Sequence, residues 1–216
     1  MRPLDRPRRR LAVALAALAG FVDAVGYLAV GGYFVSFMSG NTTRLAVDLA
    51  SDPAQAAIPA ALIAGFVVGV VLGAVVAERG GARRKSAVLA LTSGLLLLAA
   101  GFDRFSHAGF LAGSVLAMGA LNNVFRRHGE VAVGVTYTTG ALVRLGQGIA
   151  AILTGRPGEG RLSAGLLWLG LASGGVLGAL AFSAFRTAAP WIAATSSLLL
   201  LAAAWSIESA AERAGR

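Results

Sequence analysis

Asp23, Asn41, Arg44, Asn122 and Arg144 are polar or charged side chains set inside long apolar runs. An ionised carboxylate at membrane depth costs ~2.5–3.5 kcal/mol even on insertion scales, so such a group faces protein, a partner or water rather than lipid. Ser39-Gly40-Asn41-Thr42 and Thr138-Thr139-Gly140 add the residue types that begin a helix within an apolar block. Their hydroxyl and amide groups can cap free backbone N–H groups, and glycine tolerates the break. N–H groups at a half-helix start, with the positive end of the helix dipole, suit an anion or a carbonyl oxygen. Arg44 and Arg144 follow one turn later at equivalent places. Two guanidinium groups converging on a midplane cavity would bind a carboxylate, a phosphate or a similar anion.

The candidate substrate-binding set is therefore Asp23, Ser39, Gly40, Asn41, Thr42 and Arg44 facing Asn122, Thr138, Thr139, Gly140 and Arg144. Plainer roles compete with it. Asp23 could form a structural ion pair with Arg44, and Arg44 could pair with Asp48 at i,i+4 spacing. Either arginine could snorkel to a headgroup, and the hydroxyls could satisfy themselves in an interfacial turn. Enzyme chemistry finds no support: cysteine is absent, His107 and His128 fall in predicted loops, and no H-E-x-x-H, G-x-S-x-G or P-loop pattern occurs. No enzyme activity, cofactor or metal is expected.

The elements that must position these residues follow from composition. Of 216 residues, 56% are hydrophobic and 13% charged, far from the balance of a soluble domain. A hydrocarbon core of about 30 Å needs roughly 20 apolar residues per helix, so the chain supplies several spans and no soluble domain. The formal charge of +9 is gathered in short clusters between apolar runs, where it sets topology rather than binding nucleic acid. The arginine-rich start resembles a secretory signal, but the apolar run continues to Val30 and a later segment repeats 20–24, so it belongs to the fold.

Eight apolar blocks are read at 11–30, 33–50, 56–77, 86–102, 109–125, 131–153, 163–185 and 188–207, with Pro53, Pro157, Pro190 and the glycine-rich stretches 79–82 and 155–160 as boundaries. They group as four plus four. Gly20-Phe21-Val22-Asp23-Ala24 parallels Gly119-Ala120-Leu121-Asn122-Asn123, the segment from Ser39 parallels that from Thr139, and Gly65, Gly69 and Gly73 parallel Gly170, Gly174 and Gly178. The glycine ridges allow close helix packing, either of the third block on the seventh or across a homodimer.

Lys and Arg positions decide which blocks cross. Eight crossings would divide the flanking basic residues ten against seven, whereas non-spanning second and sixth blocks divide them fifteen against two, with Arg104 and Arg186 outside. The positive-inside rule selects the second arrangement. The expectation is an all-α polytopic protein of the bacterial inner membrane with six transmembrane helices, two broken or re-entrant segments and both termini cytoplasmic. Its parts are a basic leader (1–10), a first repeat (11–103), a second, inverted repeat (104–207) and a cytoplasmic tail (208–216). Trp168 and Trp205 fall near the inner boundary and Trp191 near the outer.

Gly20-Phe21-Val22-Asp23-Ala24, Gly32-Tyr33-Phe34-Val35, Ser39-Gly40-Asn41-Thr42, Met118-Gly119-Ala120-Leu121-Asn122-Asn123 and Thr136-Tyr137-Thr138-Thr139-Gly140 together resemble the hallmark of the YoaK family of bacterial membrane proteins, a family of unknown function. Ser39 stands where that family usually has Thr, and Leu121 where Gln is common. The resemblance implies about six helices and an inner-membrane location, and no substrate. The functional expectation is a small-solute transporter or channel-like permease with a midplane site, taking an unidentified small anion or carboxylate. The alternative is a non-transporting scaffold or regulatory protein whose polar residues lock two halves together.

Overall fold

The computed structural model describes residues 5–127, 130–131, 134–157 and 160–214. His128, Arg216, residues 1–4 of the leader, 132–133 of the sixth block and 158–159 of the glycine-rich loop lie outside them. The helices are α1 (Arg6–Ala29), α2 (Met38–Ser51), α3 (Ala57–Arg79), α4 (Arg84–Phe102), α5 (His107–Leu121), α6 (Thr138–Leu153), α7 (Arg161–Ala184) and α8 (Ala189–Ala214). Between α5 and α6, Arg126–Arg127 pairs antiparallel with Glu130–Val131. Among the described residues, five helices are long and apolar enough to cross a membrane: α1, α3, α4 with the turn before it, α7 and α8. Helices α5 and α6 are shorter and apolar. Helix α2, with 14 residues, spans only about 21 Å at 1.5 Å per residue.

Several block boundaries are corrected. Helix α1 begins at Arg6 because the Asp5 side chain accepts from the Arg8 N–H at 2.9 Å, with proline in the first turn, so residues 6–10 of the basic leader are helix. His107 opens α5 rather than lying in a loop, since Ser106 caps that helix by accepting from the Gly109 N–H. Residues 33–37 and 134–137 are non-helical and precede α2 and α6. Helix α8 continues to Ala214, so 208–214 extend the last helix.

The glycine ridges also have other partners than expected. A methyl group at Gly170, Gly174 or Gly178 would meet the carbonyl oxygen of Val13, Ala17 or Phe21 in that order, so α7 lies along α1 in the same direction. Gly65, Gly69 and Gly73 face Val115, Leu116 and Ala120, so α3 lies along α5, again in the same direction. The ridge partners are thus α1 and α5, and α3 and α7 do not use their ridges on each other. The two seams match at three positions: Gly174 on Ala17 has its counterpart in Gly69 on Leu116, Gly178 on Phe21 in Gly73 on Ala120, and Gly20 on Leu171 in Gly119 on Phe66. Backbones this close gain dispersion contacts that hold helices together where water exclusion cannot.

Helices α4 and α8 run antiparallel. Glu208 of α8, 5% exposed, accepts from the Lys85 N–H at 2.9 Å and the Ser86 N–H at 3.1 Å, and from the Ser86 hydroxyl. This supplies from a distant helix the cap that α4 lacks locally. Arg83 bonds Glu212 at 3.1 Å and lies over the Trp205 ring at 4.2 Å. Glu208→Ala should remove a cap worth ~1–2 kcal/mol and lower the unfolding midpoint in detergent by about 5 °C. Arg213→Ala should leave it unchanged, and thermal scanning of both variants checks the contrast.

Leu15, Leu89, Met118 and Leu121 form the centre of the core. Outside, α3 exposes Val67, Val68, Val71, Leu72 and Val75, and α7 exposes Val176, Leu177 and Leu180. Continuous apolar faces of this kind are suited to hydrocarbon, not water. The segments 6–10, 79–85 and 126–127 gather at one end of the bundle, where the start of α4 meets the end of α8 and Arg126 reaches the Ala74 carbonyl at 3.2 Å. Arg104 and Arg186 lie at the other end, in the α4–α5 and α7–α8 turns.

Candidate functional site: two half-helix starts

After α1, Gly31 and Gly32 take φ of +71° and +98°, a region that favours glycine, and turn the chain back along the helix. The returning segment is held from both sides. Asp23 on α1 accepts from the Val35 N–H at 2.7 Å, the Ser36 N–H at 2.9 Å and the Ser36 hydroxyl at 2.9 Å. Asn41 on α2, 1% exposed, accepts from the Phe34 N–H at 3.1 Å and donates to the Phe34 carbonyl at 2.7 Å. Charge-assisted bonds to backbone N–H groups are among the stronger ones available, so the segment before α2 is fixed.

A similar device, in neutral form, precedes α6. Asn122, also 1% exposed, accepts from the Thr136 hydroxyl at 3.1 Å and donates to the Met118 carbonyl at 3.0 Å. Asp23 with Ser36 and Asn122 with Thr136 thus occupy equivalent places before α2 and α6.

The side chains expected to cap these helices do other work. Phe37 and Tyr137 stand at the two N-caps, and neither helix start has a side-chain cap. Thr42 donates instead to the Met38 carbonyl at 2.9 Å, and Thr43 to the Ser39 carbonyl at 3.2 Å. Both starts therefore keep the positive end of the dipole without a neutralising side chain.

They open on one cavity of about 260 Å³, lined by residues 36–39 and 136–140 with Phe66 of α3. Of the candidate residues, Ser39, Thr138, Thr139 and Gly140 line it. Asp23 and Asn122 stand one hydrogen bond behind, through Ser36 and Thr136. Asn41 braces the entering segment, and Thr42 is spent on its own helix. The arginines do not converge on the cavity. Arg44 lies over the Tyr33 ring at 4.7 Å with its Nε 3.8 Å from Asp48, and Arg144 is exposed on α6. Nor do Asp23 and Arg44 pair, because the Asp23 oxygens are occupied by the 35–36 segment. Sequence reasoning missed Phe37, Met38, Phe66 and Tyr137 as lining. Ser36 and Thr136 carried a signal, since they share the spacing of Ser39 and Thr139.

Apolar helices long enough to span, lipid-suited outer faces and a polar centre define a polytopic all-α membrane protein. The chain belongs to the family described as "Protein of unknown function (DUF1275)", whose model matches residues 11–203. That agrees with the YoaK-like motifs. It is similar to a UPF0700 transmembrane protein of Rhizobium meliloti (strain 1021), at 40% identity over 198 residues, covering 91% of this chain and 86% of that protein. No solved structure matches it.

Proposed function

We propose that this protein is a small-solute permease, not an enzyme, and that its solute occupies the cavity between the two half-helix starts. The observation that carries this reading is the convergence of two uncapped helix N-termini on one cavity lined by hydroxyls and apolar side chains and by no charged side chain. Broken helices whose positive ends meet near the middle of a bundle are a recurrent way to hold a solute during alternating access.

Helix directions support an inverted repeat. Helices α1 and α7 run one way while α3 and α5 run the other, and α4 opposes α8. These directions support a topology in which α2 and α6 each return to the face they came from. On this reading there are six crossings, made by α1, α3, α4, α5, α7 and α8, in halves at 11–103 and 104–207 of opposite orientation. The basic end, which carries the start of α1 and the end of α8, faces the cytoplasm of a bacterial inner membrane by the positive-inside rule. One half rocking on the other along the glycine seams is the natural mechanism.

The test is solute flux into proteoliposomes. The permease reading expects saturable uptake above that of empty vesicles, reduced at least about tenfold by Thr139→Trp, which fills a cavity already below the ~300–1,000 Å³ typical of ligand pockets. A second reading, a scaffold locked by polar pairs, has one observation in its favour: the Asp23 and Asn122 side chains are bonded within the fold. It expects no flux for any solute class and a Thr139→Trp variant with unaltered behaviour.

A further inference from the structure

The two walls of the cavity differ in chemistry, although the halves that build them are equivalent. The second half contributes Tyr137, Thr138 and Thr139, where the first half contributes Phe37, Met38 and Ser39. The Thr138 and Thr139 hydroxyls make no hydrogen bond among the described residues, and neither does the Ser39 hydroxyl. One wall is therefore a helix start with two free threonine hydroxyls, and the opposite wall is Phe37, Met38 and Phe66 with the single hydroxyl of Ser39.

Resting on the permease reading, we infer that the solute is a short-chain aliphatic monocarboxylate, its carboxylate on the α6 start and its chain against Phe37, Met38 and Phe66. A carboxylate accepts from the Thr138 and Thr139 hydroxyls and is favoured by the helix dipole. A single negative charge fits this site, because phosphate or sulfate would call for a lysine or arginine that the lining lacks. Inorganic anions would leave the apolar wall unused, and an ammonium group would meet two positive helix ends. Cavity volume limits the chain, because about 260 Å³ holds only a few carbons beside the carboxylate and any water.

The full-length protein in proteoliposomes is assayed at alkaline pH, against empty vesicles, for uptake of labelled acetate, butyrate, hexanoate and decanoate, and of chloride, phosphate and methylamine. Saturable uptake is expected to peak at butyrate or hexanoate and to be absent for decanoate. Thr139→Val, which removes an exposed hydroxyl, should raise the half-saturating concentration about tenfold, as expected for a lost bond to a charged group. Phe66→Ala should move the optimum to longer chains, a change in selectivity that mere loss of stability does not produce. Uptake confined to inorganic anions or methylamine overturns this inference and leaves the permease reading standing. Carboxylate uptake indifferent to both variants overturns the siting. Absence of uptake for every solute overturns both.

Discussion

Gly174→Leu is expected to abolish folded protein, and Gly69→Leu to do the same. At both positions an added methyl would collide with a backbone carbonyl, of Ala17 in one case and of Leu116 in the other. A side chain in the way can change rotamer, whereas a carbonyl oxygen moves only if the helix moves. Separating α7 from α1, or α3 from α5, gives up the whole seam of close contacts that holds the pair in lipid. Ordinary overpacking costs ~1–3 kcal/mol, and a change that parts two backbones belongs to the exceptional class above about 4 kcal/mol. Gly94→Leu and Gly101→Leu are the controls, because nothing lies within 4 Å of a methyl at either. Detergent extraction followed by size-exclusion chromatography should give monodisperse protein for the controls and none for the seam variants. Equal yields from all four would refute the seam.

Asp23→Ala is expected to lower the unfolding midpoint by about 10 °C. It leaves the Val35 and Ser36 N–H groups and the Ser36 hydroxyl without their acceptor. Each unsatisfied buried donor costs ~1–3 kcal/mol, so three cost at least about 3 kcal/mol, and ~2–4 °C per kcal/mol applies at this chain length. Asp23→Asn should cost about half as much. Its amide oxygen still accepts from both N–H groups, and Asn122 already holds the equivalent hydroxyl in neutral form. Thermal scanning of both variants checks the order. An alanine variant as stable as the asparagine variant would mean that the carboxylate does not anchor the start of α2.

The apolar helices were legible because apolar length, basic clusters and repeated glycines are one-dimensional signals. The glycine ridges announced close packing, but a ridge carries no mark of its partner, and Gly69 meets Leu116 only because α3 and α5 fold side by side. At the candidate site, Asp23 and Asn122 stood out by the cost of burying them in an apolar run, and the breaks at Ser39 and Thr139 by their residue types. Their roles were misjudged for a physical reason. A side chain that can cap a helix can also bond its own helix one turn back, as Thr42 does, and three-dimensional spacing chooses between the two. The arginines were misplaced similarly: Arg44 and Arg144 stand five residues after Ser39 and Thr139, about 140° round the helix, so they follow the starts in sequence without facing the cavity. Phe66 carried no signal, being one apolar residue in an apolar span.

The account depends on α6 entering and leaving by one face, with α2 doing so by the other. The chain has no cysteine, so single cysteines can be introduced at Arg156, Arg79, Asp52 and Arg104 and tested in sealed, right-side-out vesicles with a membrane-impermeant maleimide. The prediction is that positions 52 and 104 label from outside, while 79 and 156 label only after permeabilisation. Labelling of position 156 from the side opposite to 79 would contradict the inverted half-helices and remove the basis for the cavity between them.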